Sequence, residues 1–428
     1  METPAFLKRL FGRDPHRAST RALALCHALM SERGESSGAL LAREAATAIT
    51  ALPPLERDLF FDGLAAGYAP SPEAVLRAAE AYRSDPGART LARLQASVDP
   101  QRQELFRRLN MAPGGTAALV RLRTQLLAGL KTHPDWSAVD SDLMHLFRSW
   151  FNRGFLRLER IDWRTPANVL EKLIAYEAVH AIQGWDDLRR RLAADRRCFA
   201  FFHPALPEEP LIFIEVALTR GLAAEIAPLI DPAAAVEDPE KATHAIFFSI
   251  TNCQAGLRGV SFGNFLIKQV ARDLQAMLPK LKTFATLSPV PGFAAWLAGE
   301  KGRLGEALAP LETPDWHRKP PAALAPALTA ACAHYLLHAK KGEAPLDPVA
   351  RFHLGNGAAL ERVNVFADLS AAGLARGAGM MVNYAYRLED VEANHEAFVK
   401  EHRVIASRTV EKQARACPLA PAREKARG

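Results

Sequence analysis

The spacing of apolar residues changes near residue 150, and this change limits the chain to a helical region followed by a mixed one. Between about residues 18 and 150, apolar side chains recur every three or four positions, which is typical of amphipathic helices. Proline and glycine interrupt the pattern at Pro53-Pro54, at Pro70 to Pro72 and at Pro113-Gly114-Gly115. The pattern predicts an array of helices, and it does not favour a solenoid because it has no self-similar period.

Beyond residue 150, a helical stretch over residues 166–191 gives way to short apolar runs of strand length. Helical periodicity returns in Phe265–Leu278 and after Phe293. Strands alternating with helices are typical of an α/β layer, so we predict an all-helical domain at residues 1–150 and a mixed α/β domain at residues 151–428. The runs that predict strands are Cys198–Phe202, Pro210–Leu218, His244–Thr251, Phe284–Leu287, Arg362–Leu369 and Met380–Arg387.

Length and composition exclude several classes of protein. With 428 residues, of which 49% are hydrophobic and 24% charged, the chain can bury two cores and is neither disordered nor fibrous. No stretch approaches the roughly 18 uninterrupted apolar residues of a bilayer-spanning helix. The five cysteines are far apart, which indicates a reducing compartment, and the segment Met1 to Gly12 does not resemble a secretory signal. We therefore expect a cytoplasmic protein without a membrane partner.

The formal net charge of +7 raises the question of a polyanionic partner. Residues 1–150 carry 19 Lys/Arg against 16 Asp/Glu, residues 401–428 carry 7 against 3, and the chain between them is neutral overall. Domains that bind nucleic acid cluster basic residues with aromatic ones, and the Trp and Tyr residues here do not gather beside the basic runs. We expect no nucleic-acid partner.

A glycine-rich loop, NCQAGLRGVSFGN at residues 252–264, lies between a predicted strand and a predicted helix. Its glycines at 256, 259 and 263 let the backbone approach a ligand closely, and the N-terminus of the following helix favours an anion such as phosphate. The loop is not a P-loop, since no Gly-Lys-Ser/Thr follows, and its spacing does not match a dinucleotide fingerprint. By pattern alone, an anion site and a structural turn are equally open.

Ser288 and His353 are candidate reactive residues, although each also has a simpler structural interpretation. Ser288 precedes Pro289 and a predicted helix, which is typical of a helix N-cap, and it is not in a Gly-x-Ser-x-Gly turn. His353, in RFHLGNG, would by pattern alone more often be a packing residue. The residues around them do not decide between these interpretations.

Two further pairs of residues are compatible with structural roles. His334 and His338 are four residues apart but lack the Glu of H-E-x-x-H and a clear third ligand, so we expect no metal site there. Tyr384 and Tyr386 would lie on the same face of a strand and are compatible with a core.

A series of segments resembles the malonyl-CoA decarboxylase family, specifically between about residues 160 and 395 and more loosely in the helical first 150 residues. The segments are EKLIAYEAVHAI (171–182), WDDLRRRL (185–192), HPALPEEPLIFIEVALT (203–219), SITNCQAGLRGVSFGNFLIKQV (249–270), FATLSPVPGF (284–293), FHLGNGAALERVNVFADLS (352–370) and GMMVNYAYRLED (379–390).

The resemblance implies a helical N-terminal domain that mediates oligomerisation, in a homotetramer built as a dimer of dimers, and a catalytic domain similar to the GCN5-related N-acetyltransferase (GNAT) superfamily. The family's catalytic serine and histidine correspond to Ser288 and His353, and a tyrosine of the site corresponds to Tyr386. Some members carry a carboxylate where this chain has Ser261, so no role of that carboxylate is carried over. In GNAT-like domains the turn after the central strand holds the CoA pyrophosphate, so the implied malonyl-CoA-binding residues are Arg258, Gly259, Val260, Ser261, Phe262, Gly263, Asn264, Ser288 and His353.

The reaction implied by the resemblance is the conversion of malonyl-CoA to acetyl-CoA and CO2. Loss of CO2 leaves a carbanion that the neighbouring thioester carbonyl delocalises as an enolate, so we expect no cofactor and no metal. In this scheme Ser288 holds the carboxylate and relays a proton, and His353 donates that proton. Malonate catabolism and control of fatty-acid metabolism are both compatible sources of the substrate.

Two other functions stay open at this point. An acyl-CoA-dependent N-acyltransferase would use the same CoA loop, but it would also need a groove and a base for an amine. A non-catalytic scaffold would bind a partner through its helical half and sense acyl-CoA through its α/β half. Incubation with malonyl-CoA and no amine separates the three functions, because only a decarboxylase forms acetyl-CoA and CO2.

Overall fold

The computed structural model describes residues 17–31, 35–260, 266–313 and 315–420. Within these residues the chain forms two units. One unit holds the described residues up to 157 together with 202–211 and 254–260, and the other holds residues 158–201, 212–253 and those from 266 onward. The division of the chain into domains at residue 150 stays a prediction, and the units change along the chain at residues 157 and 158.

The first unit is helical, as the apolar spacing predicts. Helix α4 shows why the local sequence starts a helix, because the Ser71 side chain accepts a hydrogen bond from the Ala74 amide and Pro72 takes the first helical position. Its helices are α1 (Ala18–Ser31), α2 (Glu35–Thr50), α3 (Pro54–Gly67), α4 (Pro72–Ser84), α5 (Ala88–Val98), α6 (Gln101–Asn110), α7 (Gly115–Gly129) and α8 (Ser137–Trp150). Large aromatic side chains fill its core, namely Phe60, Phe61, Phe106, Trp136 and Phe147.

The second unit is built on an eight-stranded sheet, which confirms the expected mixed α/β architecture. Its strands are β1 (Arg157–Ile161), β2 (Arg196–Phe202), β3 (Ile212–Thr219), β4 (His244–Asn252), β5 (Thr283–Thr286), β6 (Ser288–Pro289), β9 (Ala359–Asn364) and β10 (Met381–Ala385), and a separate hairpin pairs β7 (Lys340–Lys341) with β8 (Ala344–Pro345).

The sheet order is β1-β2-β3-β4-β5-β10, with β6 and β9 also paired to β10. The β4–β5 pair is parallel, whereas β2–β3, β3–β4, β5–β10, β6–β10 and β9–β10 are antiparallel. A parallel connection needs a crossover, and helix α12 supplies it between β4 and β5. The helices of this unit are α9 (Ala167–Tyr176), α10 (Trp185–Arg191), α11 (Ala227–Ile230), α12 (Leu266–Met277), α13 (Phe293–Leu304), α14 (Leu324–His338), α15 (Pro348–Gly355), α16 (Ala371–Gly377), α17 (Val391–Glu401) and α18 (Arg408–Arg415).

Two predicted elements differ from the structure. The stretch 166–191 is two helices, α9 and α10, because the Glu177 carboxylate accepts hydrogen bonds from the amides of Val179 and His180 and so stabilises a turn. The strand predicted at Arg362–Leu369 is β9, which ends at Asn364, since Phe366 has a positive φ of 57° and the chain turns there.

One face of the sheet packs against the turn that follows β3 and the short helix α11. The cluster on this face contains Ile246, Phe248, Ala285, Leu287 and Met381 together with residues of the turn. Among the described residues, no helix is both long and apolar enough to cross a membrane.

Candidate active site

Ser288 lies in strand β6 and not at a helix N-cap, because Gly292 takes the cap position of α13. Only Leu287 separates β5 from β6, so Ser288 and Thr286 extend to the same face of the sheet. The Ser288 hydroxyl donates a hydrogen bond of 2.9 Å to the Thr286 hydroxyl oxygen. Thr286 also accepts a hydrogen bond of 3.1 Å from the amide of Tyr384, and this contact ties it to β10.

Helix α15 carries His353 to Ser288. The helix begins at Pro348, and the Asp347 side chain caps it by accepting hydrogen bonds from the amides of Val349 at 2.9 Å and Ala350 at 2.8 Å. His353 Nε2 lies 3.0 Å from Ser288 Oγ. The cap and the first-turn proline therefore set where α15 begins, and His353 lies in the last turn of this short helix.

Tyr386 completes the group, since its hydroxyl lies 2.8 Å from His353 Nδ1. The structure thus brings together the three residues that the resemblance singled out, and each imidazole nitrogen has one partner. The three side chains are buried, with Ser288 5%, His353 4% and Tyr386 2% exposed. We call this group, Ser288, His353 and Tyr386, the serine–histidine–tyrosine network.

Burial sets the protonation of this network. Loss of water around His353 lowers its pKa to about 3, so the imidazole is neutral at physiological pH. Burial raises the pKa of Tyr386 well above its usual range, which keeps its hydroxyl protonated. The network therefore carries no net charge at rest, and it holds protons that can move along a chain of hydrogen bonds.

The sequence did not single out two residues that contact this network. Thr286 contacts Ser288, and its position two residues earlier in the chain, in a predicted strand, was the available signal. Tyr384 stacks on the His353 ring, with ring centroids 4.7 Å apart and planes at 24°, whereas its spacing had suggested only a core position. Both residues limit the orientations open to Ser288 and His353.

The glycine-rich loop belongs to the helical unit in its described part. A β-carbon at Gly256 would collide with the carbonyl oxygen of Val120 on α7, so this glycine allows close packing. Gly259 has a φ of +83°, a conformation that favours glycine. Arg123, also on α7, donates hydrogen bonds to the carbonyls of Gly256 at 2.7 Å and Arg258 at 2.9 Å.

Those contacts show that part of the loop is a structural turn. The expected CoA-binding role concerns the groups of the loop that these contacts do not use. The Arg258 side chain is exposed, Gly259 is exposed and Val260 is buried. The other predicted binding residues, Ser261, Phe262, Gly263 and Asn264, lie outside the described residues.

Strands β4 and β5 diverge, and a cavity lies beyond that point. Their register runs from His244 beside Thr283 to Phe247 beside Thr286, after which β4 continues to Asn252 paired with β3 and no longer with β5. The cavity has a volume of about 240 Å³. Its wall includes Ile250–Asn252 at the end of β4, Pro289–Pro291 directly after Ser288, His180, Asp368 and residues of α16.

In the described part of the chain, no group of three or more His, Cys, Asp or Glu side chains is arranged to hold a metal ion. His334 and His338 lie on α14 with ring centroids 4.9 Å apart, and His334 also stacks near Trp296. These two histidines lie in an aromatic environment, which fits their structural interpretation.

Known proteins match both halves of this chain. A family model described as the malonyl-CoA decarboxylase C-terminal domain matches residues 154–426, and one described as the malonyl-CoA decarboxylase N-terminal domain matches residues 68–151. A curated protein of Anser anser anser, named malonyl-CoA decarboxylase, mitochondrial, is 39% identical over 353 residues, which are 74% of this chain and 70% of that protein.

Solved structures agree with that match. Crystal structures of malonyl-CoA decarboxylase from Rhodopseudomonas palustris and from Agrobacterium vitis superpose with TM-scores of 0.88 and 0.87 and are 49% and 47% identical. Each comparison covers 92% of this chain and 99% of the other chain. The similarity thus extends through the helical unit and the α/β unit.

Proposed function

The chain belongs to the malonyl-CoA decarboxylase family and is a carboxy-lyase, and from this premise we propose that it converts malonyl-CoA and one proton into acetyl-CoA and CO2 at Ser288. The observation that carries the proposal is the hydrogen-bonded serine–histidine–tyrosine network. Decarboxylation leaves a carbanion at one carbon atom, and a buried chain of hydroxyl, imidazole and phenol groups is suited to deliver a proton to that atom.

The bond changes follow from the substrate's own chemistry. The bond between the carboxylate carbon and the α-carbon breaks, its electron pair delocalises onto the thioester oxygen as an enolate, and CO2 leaves. A proton then adds to the α-carbon and gives the acetyl group. Because the thioester carbonyl accepts the electrons, we propose that the reaction needs no cofactor and no metal.

Ser288 and His353 have different roles in the transfer of a proton to the α-carbon. Ser288 first orients the malonyl carboxylate, and after CO2 has left it passes its hydroxyl proton to the carbanion while the imidazole Nε2 proton moves to the Ser288 oxygen. The Tyr386 hydroxyl donates a hydrogen bond to His353 Nδ1, and this bond favours the tautomer that carries its proton on Nε2. When the Nε2 proton leaves, the same hydrogen bond limits the negative charge on the imidazole ring. A proton from solvent restores the network after each turnover.

Substrate recognition is proposed at two places. The glycine-rich loop at Arg258, Gly259 and Val260, with the following residues, would bind the CoA phosphates through backbone amides. The cavity beyond the β4–β5 divergence would take the acyl end, because its wall includes Pro289, the neighbour of Ser288. No specific contact in the described residues favours an N-acyltransferase or a scaffold.

The test is to incubate the purified protein with malonyl-CoA and no added cofactor or amine. We expect acetyl-CoA and CO2 in equal amounts, measured by chromatography and by CO2 release. Intact malonyl-CoA after prolonged incubation, or turnover only when an amine is added, would contradict the proposal.

Assembly and location are also proposals. We propose a homotetramer, a dimer of dimers, held together through the helical residues 1–150, and light scattering after size exclusion would reveal its mass. We propose a cytoplasmic location because the five cysteines are buried and none of them forms a disulfide. The source of the malonyl-CoA is open between malonate catabolism and fatty-acid control.

A further inference from the structure

His180 lies in the wall of the cavity, away from the serine–histidine–tyrosine network. Its side chain is buried, with 8% of its surface exposed. Its Nε2 is buried and makes no hydrogen bond within the described residues. A buried polar atom without a partner is unfavourable, so the imidazole of this cavity-lining residue has hydrogen-bonding capacity that a ligand can satisfy.

In contrast, hydrogen bonds fix the backbone around His180. One oxygen of the Glu177 carboxylate accepts hydrogen bonds from the amides of Val179 at 2.7 Å and His180 at 2.9 Å. The other oxygen accepts hydrogen bonds from the hydroxyls of Ser249 at 2.8 Å and Thr251 at 3.1 Å. Glu177 therefore fixes the turn that carries His180 to strand β4, one wall of the cavity.

A second buried group holds the same turn from the other side. Arg191, which is fully buried, donates a hydrogen bond of 3.1 Å to the carbonyl of His180. Arg191 is itself held by an ion pair of 2.9 Å to Glu215 on β3. The backbone of His180 is thus preorganised, although its imidazole is not satisfied.

Burial favours the neutral form of this imidazole. Burial lowers the pKa of His180, and the nearby Arg191 charge lowers it further, whereas the carboxylates of Asp368 and Glu177 act in the opposite direction. A neutral imidazole donates one hydrogen bond from one nitrogen, and such a group can polarise a carbonyl without protonating it.

We propose that His180 donates a hydrogen bond to the thioester oxygen of the substrate and stabilises the enolate that forms when CO2 leaves. The inference rests on the proposed function, which requires a fixed donor for this oxygen. The cavity volume of about 240 Å³ is too small for a whole CoA molecule and suits the acyl thioester. His180 and the turn after Ser288 line the same cavity, so donor and proton relay act on the same end of the substrate.

Two substitutions and a matched control test the kinetic consequence. His180→Leu removes the donor and should lower kcat roughly 100- to 1000-fold, as loss of one oxyanion donor does, with little change in the Kd of acetyl-CoA. His180→Gln keeps an N–H group and should recover part of the loss. His334→Leu is the control, because His334 is also buried, with 9% exposure, and its Nδ1 has no partner in the described residues, but it lies on α14 and does not line the cavity.

Two results would overturn the proposed role of His180. One is a wild-type kcat in His180→Leu. The other is an equal loss of kcat in His180→Leu and His334→Leu, because a structural role explains equal losses. If wild-type protein does not decarboxylate malonyl-CoA, the proposed function fails first, independently of these variants.

A spectroscopic readout does not depend on the stability of any variant. Acetyl-CoA labelled with 13C at the thioester carbonyl is bound to wild-type protein, and its carbonyl stretch is measured by infrared difference spectroscopy. We expect a shift to lower frequency than in free acetyl-CoA and a smaller shift in His180→Gln. An unshifted stretch in wild-type protein that decarboxylates malonyl-CoA would overturn the role of His180 alone.

Discussion

The serine–histidine–tyrosine network and the glycine-rich loop differ in what defines them. The network consists of side chains on strand β6, on helix α15 and on the residue that directly follows strand β10, and each member contacts its neighbour. The loop is defined by its backbone, with Gly256 packed on α7 and Gly259 at a positive φ. The difference indicates that substitutions in the network should change the chemical step, whereas substitutions in the loop should change binding.

The largest effect is expected for the network itself. Ser288→Ala and His353→Asn should each lower kcat by roughly 10² to 10⁴, because general-acid assistance is lost, while the Kd of acetyl-CoA changes little. Steady-state kinetics and calorimetric titration measure the two quantities. Ser407→Ala is a matched control, since the Ser407 hydroxyl caps α18 and donates to the Glu361 carbonyl and makes no hydrogen bond to the network. Near wild-type turnover in Ser288→Ala would contradict the assignment.

Thr286 tests whether the network depends on its neighbours. Thr286→Val removes the oxygen that accepts from Ser288 and should lower kcat roughly 2- to 10-fold, the worth of one neutral hydrogen bond. Thr286→Ser keeps that oxygen and should restore most of the activity. Equal activity of the valine and serine variants would show that Thr286 does not orient Ser288.

The loop provides the contrasting case. Gly259→Val should weaken acetyl-CoA binding several-fold and leave kcat at saturation almost unchanged, because a β-branched residue at a φ of +83° distorts the backbone amides. Gly305→Val is matched for strain, since Gly305 has a φ of +84° with open space around it. If both variants lose the same affinity, the loop has no special role in binding.

The smallest effect is expected from pH. Since burial lowers the pKa of His353 to about 3, kcat should show no titration of this histidine between pH 5 and 8. A loss of kcat with a pKa near 6.5 that disappears in His353→Gln would contradict the burial argument.

Stability should respond to pH with a defined sign. Between pH 3 and about 6.5 the unfolded chain binds a proton at His353 that the folded protein does not, so folding is favoured increasingly as pH rises through this window. The stability of wild-type protein relative to His353→Gln should therefore increase from pH 4 to pH 7, and thermal melts of the two proteins measure it. An unchanged difference would mean that His353 binds its proton equally well in the folded and the unfolded protein.

The fold was largely predictable because periodicity reports local structure. Strands β2 to β5 have strong apolar patterns and lie close to their predicted positions, and the helical character of the chain before residue 150 is confirmed. The end of β9 at Asn364 and the break after α9 were missed, because a positive φ at Phe366 and side-chain hydrogen bonds from Glu177 leave no periodic signal.

The site was predictable only in part. Ser288 and His353 are far apart in sequence, and family resemblance, not spacing, joined them. Their contact depends on the strand interruption at Leu287 and on the cap at Asp347, which no local pattern connects. The sequence did not indicate His180 for a similar reason, because only the structure shows that its Nε2 makes no hydrogen bond within the described residues.

The central claim is that Ser288 and His353 deliver the proton as one unit, and a double-mutant cycle tests it most directly. The kcat of the Ser288→Ala/His353→Asn double variant is compared with that of each single variant and the wild type. We expect a double variant about as slow as the slower single variant, because either substitution breaks the same relay. Losses that multiply in the double variant would contradict it.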